Sequence, residues 1–269
     1  MSASWLSGLP RDEVSVPRVV TTVTGGAALQ CVWRGALGGL TFAVDGARRF
    51  VKWSPATSGI DLRGEASRMR WALPYTPVPA VVDTGVTDDG ATWLLTEGLA
   101  GTSAVADRWK ADPRVAVRAI GEGLRAMHDA LPVASCPFSW SAESRVGRVQ
   151  ERVALGLMHP QKWQDAHRDL SVDDALAVLA DPPAEAAVVV CHGDACAPNT
   201  LLADDGCWSG HVDLGELGVA DAWADLAIAT WSSAWNYGEG WEHELLAAYG
   251  VASDPDRTRW YRLLWDLGD

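Results

Sequence analysis

The first hundred residues alternate short apolar runs with glycine-containing turns, which is typical of β-strands joined by short connections. The runs that predict strands read VVTTVTGG, LQCVWRG, LTFAVDG and RRFVKWS, and further along VVDTG and TWLLTEG. The stretch DLRGEASRMRWAL is predicted to be a helix that interrupts them. The first part of the chain is therefore expected to be a small β-rich domain.

Helical periodicity dominates after residue 101. Asp112 and Pro113 open a helix whose apolar side chains recur at alternating steps of three and four. Ser171 and Asp174 resemble a capping box ahead of ALAVLA, and further helices are predicted over DAWADLAIATWSSAW and EHELLAAYG. A β-rich lobe followed by a larger helical lobe makes an α+β fold. The apolar face of the first helix consists of Val117, Ile120, Leu124, Met127 and Leu131.

Residues 188–215, VVVCHGDACAPNTLLADDGCWSGHVDLG, concentrate polar side chains directly after an apolar run. AAVVVC predicts a buried strand that ends just before Asp194, and TLLA and CWSGHV flank an Asp-Asp-Gly turn that predicts a β-hairpin. In such a hairpin Asn199 and Asp213 lie opposite each other at the open end, close to Asp194. Oxygen ligands of this kind suit Mg²⁺.

A zinc site is the alternative for the same stretch. Its ligands would be Cys191, Cys196, Cys207 and His211, but the gaps of four and then ten residues do not match the short pair spacings of structural zinc sites. Packing of a buried strand and a hairpin accounts for these side chains more simply. Turn capping would explain any single Asp or Asn, although not their combination.

Composition indicates a globular protein without a membrane span. The chain of 269 residues is 48% hydrophobic and 21% charged, which excludes a disordered protein. No apolar run approaches the roughly 18 residues that a bilayer span requires, and the beginning MSASWLSGLPRDEV lacks the pattern of a signal peptide. Five cysteines, an odd number, indicate reduced thiols and predict a cytoplasmic location.

Charge narrows the class of partner. A net charge of −13 opposes binding to nucleic acid and attracts cationic small molecules, although solubility alone would also account for it. No membrane partner is expected, and a monomer is predicted. Among the 15 tryptophans, Trp231, Trp235 and Trp241 are candidates to line a ligand cleft.

The spacing Asp-x-x-x-x-Asn, followed by another Asp after a hairpin, is that of the kinase catalytic loop and its metal-binding aspartate. The catalytic-loop motif reads HGD in this sequence, and the motif of the metal-binding aspartate reads DLG. With these motifs the sequence resembles the aminoglycoside phosphotransferases. That family's two signatures are similar to CHGDACAPN and VDLGELGVADAWADLA. The resemblance covers nearly the whole chain and implies a bilobal, protein-kinase-like α+β fold. It implies an N-terminal nucleotide-binding lobe over residues 1–97, a hinge at 98–102 and a C-terminal catalytic lobe over 103–269.

The resemblance also implies a reaction, the transfer of the γ-phosphate of ATP to a hydroxyl group. Asp194 would orient that hydroxyl and take its proton, and Asn199 and Asp213 would hold Mg²⁺. Lys52, on a predicted strand, would neutralise the ATP phosphates, and Glu65 of the following helix would pair with it. Catalysis would then consist of positioning and electrostatics, without a phosphoenzyme.

Further contacts are implied around these residues. Gly25 and Gly26 lie in TGGAALQCVWR, expected to be the nucleotide loop between the first two strands, where Ala28 replaces a serine common in relatives. His192 is expected to support the catalytic loop rather than act as an acid or base, and Asp225 to hydrogen-bond that loop. Backbone groups of the hinge would meet the adenine edge; they belong to Glu97, Gly98 and Leu99.

The expected acceptor is a cationic aminoglycoside, with the 3′-hydroxyl favoured over the 3″-hydroxyl of streptomycin-type compounds. Asp165, Glu239 and Asp266 are the candidate carboxylates for its ammonium groups, although each would also sit comfortably on a solvated helix face. Two alternatives stay open: a kinase of another small molecule on the same fold, and a catalytically silent pseudokinase that binds ligands. The pseudokinase is opposed by the complete set of kinase residues, Lys52, Asp194, Asn199 and Asp213.

Overall fold

The computed structural model describes Gly8 and residues 12–268. The chain forms two compact units, Met1–Leu99 and Ala100–Asp269. Strands dominate the first unit and helices the second, so the predicted α+β class is confirmed. Within the described residues, no helix is both long and apolar enough to cross a membrane.

The first unit is built on a five-stranded antiparallel sheet with the strand order β1–β2–β3–β5–β4. Phe42, Val51 and Leu95 pair in register across β2, β3 and β5, and all three are buried. Because a slip of one residue would turn this apolar row to the other face, the row fixes the strand register. The elements are α1 (Arg18–Val23), β1 (Leu29–Arg34), β2 (Leu40–Val44), β3 (Arg49–Ser54), α2 (Leu62–Ala72), β4 (Val81–Val86) and β5 (Thr92–Glu97).

The strand predicted over VVTTVTGG is wrong, because Arg18–Val23 is the short helix α1. β-Branched residues favour strands, but here the hydroxyl groups of Thr22 and Thr24 donate to the carbonyl oxygens four residues earlier, at 3.0 and 2.8 Å. Val20 is fully buried against the apolar side chains of the sheet. Tertiary packing and local side-chain bonds thus override the intrinsic preference.

The second unit combines a helical core with two small sheets, of order β10–β7 and β6–β8–β9. The apolar face predicted for the long helix α4 is buried, and Ser171 caps α6 by accepting a hydrogen bond from the N–H of Asp174 (3.1 Å). The elements are β6 (Thr102–Ser103), α3 (Asp107–Lys110), α4 (Pro113–Ala130), α5 (Ala142–Ala154), α6 (Val172–Leu179), β7 (Val188–Cys191), β8 (Thr200–Leu202), β9 (Trp208–His211), β10 (Gly218–Asp221), α7 (Trp223–Tyr237), α8 (Glu242–Tyr249) and α9 (Pro255–Gly268).

Candidate functional site

A sharp turn after strand β7 presents Asp194. Gly193 adopts a φ of +90°, which disfavours side chains, and a Cβ there would collide with the backbone of Glu216. The N–H of Asp194 donates to Nδ1 of His192 (3.3 Å), and Nε2 of His192 donates to the carbonyl oxygen of Val212 (2.9 Å). The imidazole therefore ties the turn to the end of strand β9.

Asp225 of helix α7 holds the backbone of the turn at residues 192–194. Its fully buried carboxylate accepts hydrogen bonds from the N–H groups of His192 (2.6 Å) and Gly193 (2.9 Å) and from Nε2 of His128 (3.0 Å). Burial alone would raise the pKa of Asp225, but these bonds and the neighbouring imidazoles hold its pKa below the ordinary value. The loop contacts predicted for His192 and Asp225 are both present.

The hairpin of β8 and β9 brings the predicted oxygen-bearing side chains together. Nδ2 of Asn199 donates to the side-chain Oδ2 and to the backbone oxygen of Asp194, both at 3.0 Å. The N–H of Val212 donates to the carbonyl oxygen of Asn199 (3.0 Å) and closes the open end of the hairpin. Asp213 follows directly with a φ of +65°, a left-handed conformation that is uncommon for a residue with a side chain.

The charges of this cluster fit a divalent cation. Burial raises the pKa of Asp194, and the nearby charge of Asp213 adds to the rise, while the Cys196 thiol, His192 and Asn199 oppose it. Oδ1 of Asp194 is buried without a partner of standard hydrogen-bond geometry among the described residues. Two neighbouring carboxylates that repel each other are stabilised when a cation binds between them, and here Asp194 is half-buried and Asp213 exposed.

The zinc alternative is not supported. Cys207 is exposed on the hairpin, whereas Cys191 and His211 are fully buried. Within the described part of the chain, the potential ligand side chains that cluster within 4.8 Å are those of His128, Cys191 and Asp225. Hydrogen bonds of Asp225 to His128, and of the Cys191 thiol to a backbone oxygen, account for that cluster.

In the first unit, Lys52 and Glu65 form the ion pair that the sequence predicted. Nζ of Lys52 on β3 lies 2.7 Å from Oε1 of Glu65 on α2. The lysine side chain is 22% exposed and that of the glutamate 4%. Because Glu65 is buried, its ion pair holds the ammonium group of Lys52 in one position on β3.

The predicted place of the nucleotide loop is wrong. Gly25 and Gly26 precede β1, in the connection that follows α1, and do not lie between the first two strands. Because VVTTVTGG does not form a strand, the first two strands are joined by the glycine-rich stretch 35–39, GALGG. Gly38 in this loop has a φ of +85°. The substitution noted at Ala28 therefore also falls outside that loop.

The hinge segment lies at the end of β5, and part of its backbone is already engaged. The N–H of Glu97 donates to the carbonyl oxygen of Ala80 (2.9 Å), and the N–H of Gly98 donates to that of Arg48 (2.7 Å). Among the described residues, no backbone hydrogen bond is made by the N–H of Leu99. Leu99 is therefore the member of this segment whose amide is left for a ligand.

The three candidate acceptor carboxylates are placed very differently. Asp266 is buried, and its Oδ2 accepts from the N–H of Gln164 and from Nδ1 of His167, both at 2.8 Å. Asp266 thus joins helix α9 to the segment 164–167, and the substrate role expected for it stays a prediction. Asp165 is exposed but lies 2.5 Å from the Arg168 guanidinium.

Glu239 differs from the other two acids, because it lines a cavity of about 100 Å³ beside helix α7. No ion pair of Glu239 is present among the described residues. Trp231, Trp241, Glu242 and Arg262 also line this cavity. Of the three acids, Glu239 alone is both exposed and without a charged partner in the part of the chain described.

Two supporting residues escaped the sequence interpretation. Oγ of Ser232 on α7 accepts a hydrogen bond from the N–H of Ala197 (2.9 Å), inside the loop between Asp194 and Asn199. His128 holds Asp225 from helix α4. Both contacts join residues far apart in sequence, and no local pattern marks them.

Comparisons with known proteins agree with this geometry. The family model described as "Phosphotransferase enzyme family" matches residues 19–261. Over 222 residues, 78% of this chain and 81% of the other, the sequence is 37% identical to an aminoglycoside 3'-phosphotransferase of Streptomyces fradiae. Over 248 residues, 86% of this chain and 88% of the other, it is 37% identical to a streptomycin 3''-kinase of Streptomyces griseus.

A solved structure shares the fold as well. Aminoglycoside phosphotransferase APH(3'')-Id from Streptomyces rimosus, in complex with ADP and streptomycin, superimposes with a TM-score of 0.75 at 30% identity. The match covers 93% of this chain and 96% of that one. The resemblance inferred from the HGD and DLG motifs is confirmed.

Proposed function

Because the chain belongs to the phosphotransferase enzyme family, we propose that it transfers the γ-phosphate of ATP to a hydroxyl group of an aminoglycoside and so confers resistance to it. The observation that carries this proposal is the joined turn and hairpin, in which Asn199 holds Asp194 by two hydrogen bonds. Oδ1 of Asp194, buried and without a standard partner, is left to accept a bond from the acceptor hydroxyl.

Asp194 acts by orientation more than by basicity. A loose phosphoryl-transfer transition state leaves the attacking hydroxyl little changed until late, so a carboxylate suffices to take its proton. The hydrogen bonds from Asn199 keep the carboxylate in one rotamer, and Asp225 keeps the preceding backbone in place. Positioning of this kind accounts for a large part of the catalytic effect.

Asn199 and Asp213 are the residues that would hold Mg²⁺. Asn199 donates its N–H groups to Asp194, which leaves its amide oxygen as the ligand atom. When bound, Mg²⁺ supplies positive charge that offsets the charge developing on the transferred group. Lys52, fixed by Glu65, would neutralise the phosphates that are not transferred.

The nucleotide would be held chiefly by backbone groups. We assign the phosphate contacts to the β1–β2 loop, residues 35–39, in place of Gly25 and Gly26. Positive-φ glycines let backbone N–H groups approach phosphate oxygens closely. The free N–H of Leu99 would meet the adenine edge.

The acceptor is proposed to be an aminoglycoside, with the 3′-hydroxyl first and the 3″-hydroxyl second. The 3'-phosphotransferase of Streptomyces fradiae and the streptomycin 3''-kinase of Streptomyces griseus are equally similar to this chain, at 37% identity each. A panel of acceptors therefore has to separate them.

The test is ADP release by the purified protein with ATP and Mg²⁺ in the presence of kanamycin, neomycin, streptomycin or hygromycin. We expect release with kanamycin or neomycin, and an Asp194→Asn protein that binds ATP but releases none is the matched control. If the protein binds ATP with Mg²⁺ but releases no ADP with any of the four acceptors, a kinase of another small molecule remains. Silence without ATP binding would overturn the phosphotransferase proposal altogether. The cytoplasmic location and the monomeric state stay predictions.

A further inference from the structure

Asn199 ends a short 3₁₀ turn, Ala197–Asn199, that leads into strand β8. The peptide group between Pro198 and Asn199 is held at both of its polar atoms. Its carbonyl oxygen accepts a hydrogen bond from Oγ of Ser103 (2.9 Å), and its N–H donates to the carbonyl oxygen of Cys196 (2.9 Å). Because a trans peptide group is planar, with its C=O and N–H on opposite edges, these two bonds fix its rotation about the chain.

The orientation of this peptide group decides where the Asn199 side chain points. The peptide group on the other side of Asn199 is also held, because its carbonyl oxygen accepts from the N–H of Val212 (3.0 Å). With the backbone fixed on both sides, Nδ2 of Asn199 reaches the backbone oxygen and Oδ2 of Asp194, both at 3.0 Å. The same geometry leaves the Asn199 amide oxygen in one direction for a metal ion.

Ser103 reaches this peptide group from a distant part of the chain, 95 residues away from Pro198 in sequence. It is half-buried on strand β6, where it pairs with Leu201 of β8. Oγ of Ser103 also accepts from the N–H of Val105, but at 3.4 Å. Since the bond to Pro198 is the shorter of the two, the hydroxyl group does more than close a local turn.

Strand β6 is held in place on both sides of Ser103. A strand of two residues is too short to be stable by its own pairing. Nε1 of the buried Trp109 donates to Oγ1 of Thr102 (3.0 Å), and Oη of Tyr237 donates to the carbonyl oxygen of Ala104 (2.8 Å). The Ser103 hydroxyl is therefore ordered before any ligand binds, and no entropy has to be lost to place it.

We propose that Ser103 is a positioning residue for Asn199: through the Pro198 carbonyl group it directs the Asn199 amide oxygen to Mg²⁺, and it thereby sets how strongly the metal ion enhances nucleotide binding. The inference rests on the proposed function, because it takes Asn199 as a ligand of Mg²⁺. In Ser103→Ala the Pro198 carbonyl loses its partner, and the peptide group is free to rotate. The amide oxygen then points to the metal in only a fraction of the molecules, and the apparent affinity falls by that fraction.

Calorimetric titration of ADP with and without Mg²⁺ tests this role without relying on turnover. The quantity compared is the factor by which Mg²⁺ lowers the Kd of ADP. Ser103→Ala is expected to reduce this factor about fivefold, the equivalent of one hydrogen bond, and to leave the Kd of ADP without metal unchanged. Asp213→Ala, which removes the other proposed ligand, shows the complete loss of the factor.

Three variants serve as controls. Ser103→Thr keeps the hydroxyl group on a side chain that suits a strand, so it should retain the factor to within about twofold. Ser103→Cys keeps the size of serine but donates only weakly, so it should behave like Ser103→Ala and replaces it if that protein does not fold. Ser135→Ala is the matched control, because the exposed Ser135 hydroxyl also donates to a proline carbonyl, that of Pro132 (3.4 Å), and both constants should stay unchanged.

The outcomes separate this inference from the proposed function. If Mg²⁺ lowers the Kd of ADP in Ser103→Ala by a factor within twofold of that in wild type, the positioning role is overturned and the phosphotransferase proposal stands. Equal losses in Ser103→Ala and Ser103→Thr, or an equal rise of the Kd without metal, also overturn it, because packing then accounts for the effect. A wild-type protein whose ADP binding does not respond to Mg²⁺ overturns the metal site itself, and one that binds no ADP overturns the phosphotransferase proposal.

Discussion

Replacing Asp225 by asparagine is expected to destabilise the protein by about 3 kcal/mol. The carboxylate accepts three hydrogen bonds in a fully buried position. An amide keeps one acceptor oxygen but turns N–H groups towards a donor, so at least one buried donor loses its partner at a cost of roughly 1–3 kcal/mol. At about 2–4 °C per kcal/mol for a chain of this size, the melting temperature should fall by roughly 8 °C.

The loss of stability in Asp225→Asn should be smaller at acidic pH than at neutral pH. The pKa of Asp225 is held below its ordinary value in the folded protein, so its contribution is present above the unfolded pKa of about 3.9 and is lost as pH falls through the folded pKa. The gap in melting temperature between wild type and Asp225→Asn should therefore be full at pH 6–8 and should narrow below about pH 4.

Thermal unfolding followed by circular dichroism across this pH range measures both effects. Asp204→Asn is the matched control, because the Asp204 side chain is 98% exposed in its pair with Arg108. That variant should melt within about 2 °C of wild type. If Asp225→Asn also melts within about 2 °C of wild type at pH 7, the three hydrogen bonds do not support the loop as argued.

The remaining predictions concern the reaction. Asp194→Asn should lower kcat by at least about 10²-fold with little change in ATP affinity, and turnover close to wild type would rule out its role as base. Asp213→Ala should abolish the dependence of nucleotide binding on Mg²⁺, measured by calorimetric titration with and without the metal. Lys52→Ala should raise KM for ATP more than KM for the acceptor, and equal changes in both would contradict a phosphate contact. Gly38→Ala should raise KM for ATP, whereas Gly25→Ala, which imposes a similar left-handed strain, should not; the reverse order would return the nucleotide loop to residue 25.

The reaction loop could be predicted from sequence because its geometry is local. Asp194 and Asn199 are five residues apart, and a two-stranded hairpin with an Asp-Asp-Gly turn returns the chain to Asp213. A hairpin fixes its own register from the turn, so no distant contact has to be known. The Lys52–Glu65 pair follows for a similar reason, since one strand and the next helix carry its partners.

The nucleotide loop was misplaced because a short element was assigned by propensity alone. The run at residues 19–23 has three valines and two threonines, which favour a strand in isolation. The hydroxyl group of Thr22 donates to the carbonyl oxygen of Arg18 within a helix, and Val20 packs against side chains of a sheet that the local pattern does not reveal. Because this run was counted as the first strand, the connection between the first two strands was placed about ten residues before the true β1–β2 loop.

The environment of the candidate acceptor carboxylates could not be predicted from the sequence, for the opposite reason. Whether such a side chain is buried or paired depends on contacts between distant parts of the chain. Asp266 is removed from the surface by Gln164 and His167, which lie 102 and 99 residues away in sequence. A tail carboxylate and a partner a hundred residues earlier carry no shared pattern that reveals the contact. The same contact that occupies the acid orients His167 against Trp231. If an amino sugar is the acceptor, its binding should therefore respond more to Glu239, which is exposed and lines a cavity, than to Asp165, which pairs with Arg168. Comparing the acceptor KM of Glu239→Gln with that of Asp165→Asn in one assay tests this, and equal changes in both variants would contradict it.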